Sequence, residues 1–338
     1  MEDNKSFDNT GIVLSSRVRL ARNINNTPFP HVLSKEAAAK VVQDVSEIVM
    51  GTSCANDKEI KLIQMKDMKP LERMAMVEKH LISRELAKNH DKSAVLLSID
   101  EDISIMLNEE DHIRLQVIYP GFKISEAYHY AQRLDDAIEE KLDYAFDPSL
   151  GYLTSCPTNV GTGLRASVML HLPALTITRN INSILNTVSQ VGMTIRGLYG
   201  EGSNIMGSIY QISNQVTLGL SEEDIVNNLI AVTKKIIDQE ILARRLMYEK
   251  QPVAMQDEIY RALGCLRYAR ILSTSEALNL LSKVRMGVEM GIIKDMDINT
   301  INELFTKVQP ATLQLTDQKD LDAAARDVLR AEFIRNHI

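Results

Sequence analysis

The sequence of 338 residues contains no tryptophan, and aromatic residues make up only 5% of it. Proteins that hold single-stranded nucleic acid commonly stack its bases on aromatic side chains, so the composition disfavours this class. The formal net charge of -7 also argues against a nucleic-acid binder, because such proteins usually carry a basic surface. We therefore expect no nucleic-acid partner, although a local basic pocket is compatible with this charge.

Cysteine and long apolar runs are also scarce. Cys54, Cys156 and Cys265 are widely spaced and offer neither a disulfide framework nor a metal-binding knuckle. The longest apolar runs are far shorter than the roughly 18 residues that a membrane helix needs. The polar N-terminus lacks the basic start and apolar stretch of a signal peptide. We expect a reduced, cytoplasmic protein with no membrane partner.

Carboxylates are missing from two long windows of the sequence, residues 9–35 and 148–200. The arginines in these windows are Arg17, Arg19, Arg22, Arg165, Arg179 and Arg196. Arginines without nearby carboxylates favour an anionic ligand, because the planar guanidinium binds two phosphate oxygens at once. The alternative is a set of ordinary surface arginines whose acidic partners come from distant segments.

Two common nucleotide-binding motifs do not account for such a site. The Walker-type pattern GxxxxGK(S/T) is absent. Gly161, Gly163 and Ala166 form a GxGxxA pattern, but Cys156 and Pro157 precede it where a dinucleotide fold needs an apolar strand. The acid-free window also lacks the acid that such a fold places about 20 residues later. A dinucleotide-binding fold is therefore disfavoured.

Hydrophobic periodicity predicts a mixed fold. Short apolar runs in residues 93–119 predict strands, and the spacing near 130–142 predicts a helix. Further strands are expected at residues 151–155, 193–199 and 206–214. Because neighbouring strands mix with helices without regular βαβ alternation, the pattern indicates an α+β fold.

From Ser221 onward the pattern becomes helical. Ser221 is the expected cap of a long helix, which Pro252 interrupts. Two further capping boxes are predicted, Ser273 with Glu276 and Thr300 with Glu303. We place a first domain at residues 1–235 and an all-helical domain at 240–338.

Four segments taken together resemble the phosphagen (guanidino) kinase family. They are LSSRVRLARN at 14–23, NEEDHIR at 108–114, CPTNVGTGLRASV at 156–168 and RGLYGE at 196–201. Their order also matches the family, and the resemblance covers about residues 11–235. Within the family the chain is most similar to the bacterial protein-arginine kinases. Small-molecule members have a helical domain before SSRxR, whereas only 14 residues precede Ser15 in this sequence. The helical C-terminal region is similar to that of the protein-arginine kinases and is expected to have no counterpart in the small-molecule members.

The resemblance implies an architecture and a chemistry. It implies a catalytic domain at residues 1–235 with a central antiparallel sheet flanked by helices. It also implies a helical domain at 240–338 that binds phosphoarginine and dimerises. The expected reaction transfers the γ-phosphoryl group of ATP to an arginine guanidinium. The Mg²⁺ ion would be held through ATP, without a protein metal site.

Motif matches imply a role for each site residue. Glu110 and Glu201 correspond to the carboxylates that hold the guanidinium, and Cys156 corresponds to the active-site thiol. The implied ATP-binding positions are Ser15, Ser16, Arg17, Val18, Arg19, His80, Arg114, Arg165, Ala166, Ser167, Val168, Met169, Arg196, Gly197, Leu198, Tyr199, Gly200 and Glu201. The implied phosphoarginine-binding positions in the tail motif RDVLRA are Arg326, Asp327, Arg330 and Ala331.

Each of these residues also has a simpler interpretation. Cys156 alone could be a small buried apolar residue, and Glu110 with Glu109 could be an ordinary turn pair. His80 and the neighbouring motif histidine His112 would more often be structural. The tail could be a plain charged helix with an Asp327–Arg330 ion pair.

The resemblance also implies partners. They are protein substrates with exposed arginine, the Clp ATPase and protease machinery, a small zinc-containing activator and a second copy of the chain in a homodimer. These partners would connect the kinase with proteolysis and the stress response and make it allosteric. Two alternatives remain open, a small-molecule guanidino kinase and an inactive adaptor that binds phosphoarginine. The segment GSNIMGS after Glu201 favours a protein acceptor, because it lacks the loop that closes over a free amino acid in the small-molecule kinases.

Overall fold

The computed structural model describes residues 11–52, 58–197, 205–317 and 321–338. Its strands are β1 (Val13–Arg22), β2 (Ile60–Gln64), β3 (Ala94–Ser98), β4 (Ile103–Leu107), β5 (Ile113–Pro120), β6 (Phe146–Asp147), β7 (Gly151–Tyr152), β8 (Leu164–His171), β9 (Met193–Arg196) and β10 (Ile209–Asn214). An eight-stranded antiparallel sheet has the order β2-β3-β4-β5-β1-β8-β10-β9, and β6 pairs separately with β7. The predicted antiparallel sheet is therefore confirmed.

Helices flank this sheet and then form the whole C-terminal part. They are α1 (Lys35–Gly51), α2 (Pro70–Glu78), α3 (Arg84–Lys88), α4 (Ile124–Glu139), α5 (Pro173–Ile177), α6 (Ile181–Gln190), α7 (Glu222–Lys250), α8 (Pro252–Tyr268), α9 (Thr274–Glu289), α10 (Ile298–Lys307), α11 (Pro310–Asp317) and α12 (Ala323–Arg335). Short 3-10 turns occur at Pro30–Val32, Met65–Asp67 and Pro157–Asn159. The predicted α+β class with a helical C-terminal region is confirmed.

Side chains alternate along the central strands, so the sheet has one apolar and one polar face. On β1, Val18 and Leu20 are buried and lie in a core that α1, α4 and α7 cover. Arg17 and Arg19 are two residues apart on this strand, so both side chains lie on the other face. The apolar face thus supplies the main core, and the polar face is available for a ligand.

A smaller, separate hydrophobic core lies beside one edge of the polar face. Met76, Leu81 and Leu86, from α2, α3 and the turn between them, pack against Val95 of β3 and Met106 of β4. This packing brings the turn that contains His80 beside the arginines of β1.

The C-terminal helices have a hydrophobic core of their own. Residues of α8, α9, α10 and α12 form it, including Ile259, Leu281, Leu304 and Ile334. The helix α7 is continuous from Glu222 to Lys250, so the boundary predicted near residues 235–240 falls inside it. The division into 1–235 and 240–338 stays a prediction.

The predicted helix caps have different outcomes. The side chain of Ser221 accepts a hydrogen bond from the Asp224 amide, so the predicted cap is confirmed. The side chain of Ser273 accepts one from the Glu276 amide, which confirms the N-cap half of the predicted Ser273–Glu276 box. The Thr300–Glu303 box is wrong, because α10 begins three residues earlier. Its N-cap is Asp297, whose side chain accepts a hydrogen bond from the amide of Asn299.

Within the ranges that the structure describes, no helix has both the length and the apolar character that crossing a membrane requires.

Candidate active site

Five arginines from four strands converge on the polar face of the sheet, and we call them the arginine face. They are Arg17 and Arg19 on β1, Arg114 on β5, Arg165 on β8 and Arg196 on β9. All five line a cavity of about 240 Å³ together with His80 and Gln211. These segments are far apart in sequence, and the antiparallel register brings them together.

The arginine face is electrostatically strained without an anion. Arg19 lies directly opposite Arg165 across β1 and β8, and like charges at such positions repel. Burial and the charges of Arg114 and Arg165 lower the pKa of Arg17 to about 10. Burial, followed by the same neighbours and Arg17, lowers the pKa of Arg19 well below its usual range. A bound polyanion would remove this repulsion.

The hydrogen bonds of these arginines also favour an anionic ligand. The Nε atom of Arg19 is buried and has no hydrogen-bond partner among the described residues. Arg17 is partly held in place, because its Nη2 donates to Gln211 Oε1 at 2.9 Å and its Nε donates to Ser167 Oγ at 3.4 Å. A buried donor without an acceptor is costly unless a ligand supplies one, so the cavity fits a polyphosphate.

Arg114 is fixed by a carboxylate that the sequence did not single out. Its Nη1 donates to both oxygens of Glu109, at 2.6 and 2.7 Å. Burial raises the pKa of Glu109, but the attraction of Arg114 and the hydrogen bonds outweigh it, so the net pKa is below the ordinary value. Glu109 is therefore a charged anchor that holds Arg114 at the arginine cavity.

Glu110 differs sharply from its neighbour. Its side chain is exposed, whereas that of Glu109 is buried. Partial desolvation and the negative charge of Glu109 raise the pKa of Glu110. A carboxylate with a raised pKa is a better proton acceptor, so Glu110 has the properties of a general base.

Cys156 lies at the start of the 3-10 turn Pro157–Asn159, and its Sγ is 3.0 Å from Thr158 Oγ1. Asp111 connects this turn to the segment of Glu110. The Oδ1 atom of Asp111 accepts hydrogen bonds from the Ser155 amide and from Asn23 Nδ2, both at 2.7 Å. Asp111 thus explains why the NEEDH and CPTN motifs meet.

The GTG segment that follows the cysteine requires its first glycine. Gly161 has φ of 112°, and a Cβ at this position would lie 2.3 Å from the carbonyl oxygen of Thr217. The hydroxyl of Thr217 also donates to the carbonyls of Thr158 and Val160. These contacts hold the cysteine turn against the end of β10.

The two motif histidines have different surroundings. His80 lines the arginine cavity, and burial together with the charges of Arg17 and Arg19 lowers its pKa to about 3. Its imidazole is therefore neutral near pH 7. His112 is structural, because its Nδ1 accepts from the Ile24 amide at 3.1 Å and its Nε2 donates to the Pro28 carbonyl at 2.9 Å.

Two arginines of the acid-free windows lie away from the cavity. Arg22 is buried on the opposite face and is 2.7 Å from Asp135, with Glu222 at 3.4 Å. Distant acids therefore neutralise Arg22, as the simpler interpretation of the windows requires. Arg179 is exposed just before α6. Neither residue belongs to the arginine face.

The other predicted ATP-binding positions divide into groups. Ser15, Ser167 and Met169 line a second cavity of about 530 Å³ that also contains Arg17, His80 and Gln211. Four predicted residues turn away from the arginine face, namely Ser16, Val18, Ala166 and Val168. Gly197 is buried just after β9. Leu198, Tyr199, Gly200 and Glu201 lie outside the described residues.

The tail motif is largely engaged in contacts within its own region. Arg330 is buried and donates through Nε to the Val308 carbonyl and through Nη1 to the Leu272 carbonyl, both at 2.8 Å. It also forms an ion pair with Asp327. The ion pair of the simpler interpretation is thus present, and the phosphoarginine role of this motif stays a prediction.

The other two tail positions differ in accessibility. Arg326 donates through Nη1 to the Leu321 carbonyl at 2.9 Å and remains partly exposed. Ala331 is fully buried in the helical core, so its side chain is closed to a ligand in this conformation.

In the described parts of the chain, no group of three or more His, Cys, Asp or Glu side chains could hold a metal ion. The donors around the arginine cavity are cationic or neutral and fit phosphate oxygens, not a cation. That a metal ion would reach the site with ATP stays a prediction.

Comparisons with known proteins agree with this geometry. Residues 40–243 match the family model "ATP:guanido phosphotransferase, C-terminal catalytic domain". Residues 252–338 match "Protein-arginine kinase McsB C-terminal domain". The protein-arginine kinase of Clostridium tetani is 50% identical over 333 residues, covering 98% of this chain and 97% of its own. The chain belongs to the protein-arginine kinase family. The family's protein from Clostridium kluyveri is 52% identical over 330 residues, covering 98% of this chain and 95% of its own.

Solved structures extend the likeness to other guanidino kinases. Lombricine kinase has a TM-score of 0.60 and 28% identity, covering 68% of this chain and 66% of that one. The duplicated taurocyamine kinase from Schistosoma mansoni has a TM-score of 0.61 and 24% identity, covering 74% of this chain and 37% of that one, and it shows the shared fold alone.

Proposed function

We propose that the protein transfers the γ-phosphoryl group of ATP to arginine guanidinium groups of other proteins. The observation that carries the proposal is the arginine face itself, where a buried donor without an acceptor and opposed like charges favour a polyphosphate ligand. The full-length likeness to protein-arginine kinases supports a protein acceptor.

The arginines would act by position and charge. Phosphoryl transfer spreads negative charge over the equatorial oxygens of the transferred group, so catalysis depends mainly on positioning and electrostatic stabilisation. Arg17, Arg19, Arg114, Arg165 and Arg196 approach the cavity from four strands and would hold the triphosphate without a Walker lysine. Mg²⁺ carried by ATP would neutralise further phosphate charge.

The acceptor end requires a carboxylate because a guanidinium is protonated and weakly nucleophilic. Glu110 would grip it, direct one nitrogen at the γ-phosphorus and accept a proton as that nitrogen attacks. The N–P bond forms, the bond from γ-phosphorus to the bridging oxygen breaks, and ADP leaves. We assign the second carboxylate to Glu201, and we propose that the Cys156 thiolate supplies negative charge beside the acceptor.

Direct assay of the product tests this proposal. The protein is incubated with ATP and Mg²⁺ and with casein, free arginine or creatine, and products are analysed by mass spectrometry that preserves acid-labile phosphoramidates. Phosphoarginine on casein is the expected result. Phosphorylation confined to free arginine or creatine would indicate a small-molecule guanidino kinase, and no ATP turnover with retained phosphoarginine binding would indicate an inactive adaptor.

We also propose that the tail motif binds phosphoarginine and regulates activity. Arg326 and Arg330 share a face of α12, where two guanidinium groups could take a phosphate and Asp327 could take the guanidinium. Because Arg330 is engaged with carbonyls, Arg326→Ala is the cleaner test. Titration of phosphoarginine into the full protein should give saturable binding that this variant weakens, and equal binding by both would remove the motif from this role.

The family resemblance supports further proposals about cellular context. We propose a cytoplasmic enzyme that works as a homodimer, marks proteins for the Clp ATPase and protease machinery in the stress response, and responds to a small zinc-containing activator. Pull-down of Clp subunits by the phosphorylated substrate, with unphosphorylated substrate as the control, tests the first of these partnerships.

A further inference from the structure

The larger cavity has one wall that does not belong to the sheet. The sheet contributes Ser15 of β1, Met169 of β8 and Gln211 of β10, whereas the opposite wall comes from α10 and the turn after it. This second wall contains Asn302, Phe305, Thr306 and Gln309. A ligand in this cavity would therefore lie between the sheet and the C-terminal helical region.

The two cavities form one elongated site with a gradient of polarity. They share Arg17, His80 and Gln211. Along β1, Ser15 lines only the larger cavity, Arg17 lines both and Arg19 lines only the arginine cavity. Successive same-face residues of a strand are roughly 7 Å apart, so Ser15 and Arg19 are roughly 14 Å apart along the strand. This length suits an elongated ligand that is anionic at the Arg19 end. A volume of about 530 Å³ at the other end lies in the range of small-molecule sites.

Asn302 is the α10 side chain whose orientation is fixed by its neighbours. Its Oδ1 accepts a hydrogen bond from Arg285 Nε at 2.8 Å. A guanidinium can only donate, so the amide oxygen must face Arg285 and the NH₂ group must face away from it. Asn302 also lines the larger cavity, so its NH₂ group can donate hydrogen bonds to a ligand there.

Two sets of contacts hold this wall over the sheet. Arg285 donates through Nη1 to His171 Nδ1 at 2.9 Å and through Nη2 to the Gly11 carbonyl at 2.6 Å. On the other side, the carboxylate of Glu78 accepts from the amides of Ala311 and Thr312 at 2.8 and 2.7 Å. Glu78 lines the cavity and lies two residues before His80, so this second attachment is in the cavity wall itself.

We infer that the C-terminal helical region completes the nucleoside end of the ATP site, with Asn302 donating to an acceptor atom of the base or ribose. This inference rests on the proposed kinase function and adds a substrate-binding residue outside the sheet. The helical region is then part of the nucleotide site, and its removal or displacement weakens the binding of ATP.

The test compares ATP with inorganic tripolyphosphate, which has the anionic end but no nucleoside. Asn302→Asp keeps an acceptor for Arg285 and removes the donors. Thr300→Asp adds the same charge to α10 at a position outside the cavity lining and serves as the matched control. In calorimetry on the full chain, Asn302→Asp should weaken ATP binding at least about 5-fold, as loss of one hydrogen bond does, and leave tripolyphosphate binding unchanged. Thr300→Asp should leave both unchanged.

Each other outcome gives a definite answer. Unchanged ATP affinity in Asn302→Asp overturns the inference and leaves the kinase proposal standing. Equal weakening of both ligands, or the same weakening in Thr300→Asp, assigns the effect to long-range charge and also overturns it. A wild type that binds neither ligand contradicts the proposed function instead. If Asn302→Asp folds poorly, Asn302→Ala removes the amide without adding charge and is judged by the same two affinities.

Discussion

Adjacent glutamates have different surroundings in this site. Glu109 is buried against Arg114, and Glu110 is exposed with a raised pKa. We expect Glu110→Gln to lower turnover by at least about 10²-fold while leaving ATP affinity intact, because only proton acceptance and acceptor orientation are lost. Glu109→Gln should weaken ATP binding as well, because Arg114 loses its anchor. Steady-state kinetics and calorimetry on both variants separate the two roles, and near-normal turnover in Glu110→Gln would remove it from the chemistry.

Two arginines on opposite faces of β1 should respond in opposite ways to the same substitution. Arg19→Gln relieves like-charge repulsion, so we expect the free energy of unfolding of the ligand-free protein to rise by about 0.5–2 kcal/mol. Arg22→Gln leaves the buried carboxylate of Asp135 without its charged partner and should lower the free energy of unfolding by about 3–5 kcal/mol. Denaturant unfolding measures both changes, and ATP should stabilise the Arg19 variant less than the wild type. A destabilised ligand-free Arg19 variant would contradict the strain argument.

The sequence identifies some site residues but not the partners that position them. Arg17 and Arg19 share a face because they are two residues apart on one strand, and such a local property can be read from the sequence. The partner of Arg22, Asp135, is 113 residues away, so an acid-free window cannot reveal it. Glu109 and Asp111 lie inside a recognised motif, yet their roles become apparent only when Arg114 and Ser155 are located.

At the level of elements, the strands are predicted better than the start of helix α10. The runs within residues 93–119 become β3, β4 and β5, and the expected strands at 193–199 and 206–214 overlap β9 and β10. At α10 the Thr300–Glu303 spacing satisfies a capping box, but Asp297 can cap the same helix three residues earlier. A motif test that accepts either residue cannot choose between them.

The helix α12 carries a prediction that separates structure from ligand binding. Arg330→Ala leaves the carbonyls of Val308 and Leu272 without a donor, so we expect a loss of about 2–4 kcal/mol in the free energy of unfolding. Arg326→Ala removes one partly exposed hydrogen bond and should cost less than about 1 kcal/mol. Thermal and denaturant unfolding of the two variants provide the comparison. Equal costs would show that Arg330 is not the structural member of the pair.

At the scale of the whole molecule, the contact between sheet and helical region depends on a buried ionic cluster. His171 of β8 lies among Arg285, Arg244 and Glu289, and Arg244 Nη1 is 2.7 Å from Glu289 Oε2. Burial lowers the pKa of His171 to about 4, so its imidazole is neutral in the folded protein at pH 7. Because Arg285 donates to Nδ1, the proton is on Nε2, which donates to Ser282 Oγ at 2.8 Å.

This cluster predicts acid sensitivity. Unfolded chains protonate histidine near pH 6.5, and the folded protein resists protonation of His171 down to about pH 4. Stability is therefore present above this window and falls as the pH drops through it, by about 3 kcal/mol in total. Denaturant midpoints at several pH values should show a smaller slope for His171→Gln, which keeps an acceptor and a donor. An unchanged slope would assign the acid sensitivity to other groups, such as His80, whose pKa is lowered to about 3.

The overall fold is predictable because the four family motifs occur in order. The contact between the sheet and the C-terminal helical region is not predictable in this way. Arg285, His171 and Glu78 belong to no motif, and their contacts span long stretches of sequence. The position of Asn302 in a cavity wall is equally unpredictable, because nothing in the residue spacing of α10 indicates a cavity between this helix and the sheet. Long-range packing determines these positions, and only three-dimensional coordinates reveal them.

The continuous helix α7 has a consequence for how the protein comes apart. Its 29 residues extend roughly 44 Å, from Glu222 beside Arg22 to Lys250. Glu240 and Arg244 lie within it and connect the start of α5 to Glu289. Helices melt cooperatively, so neither core can lose its order without disturbing the other. Limited proteolysis should find no accessible linker between residues 222 and 250, and heating should unfold both cores in a single calorimetric peak.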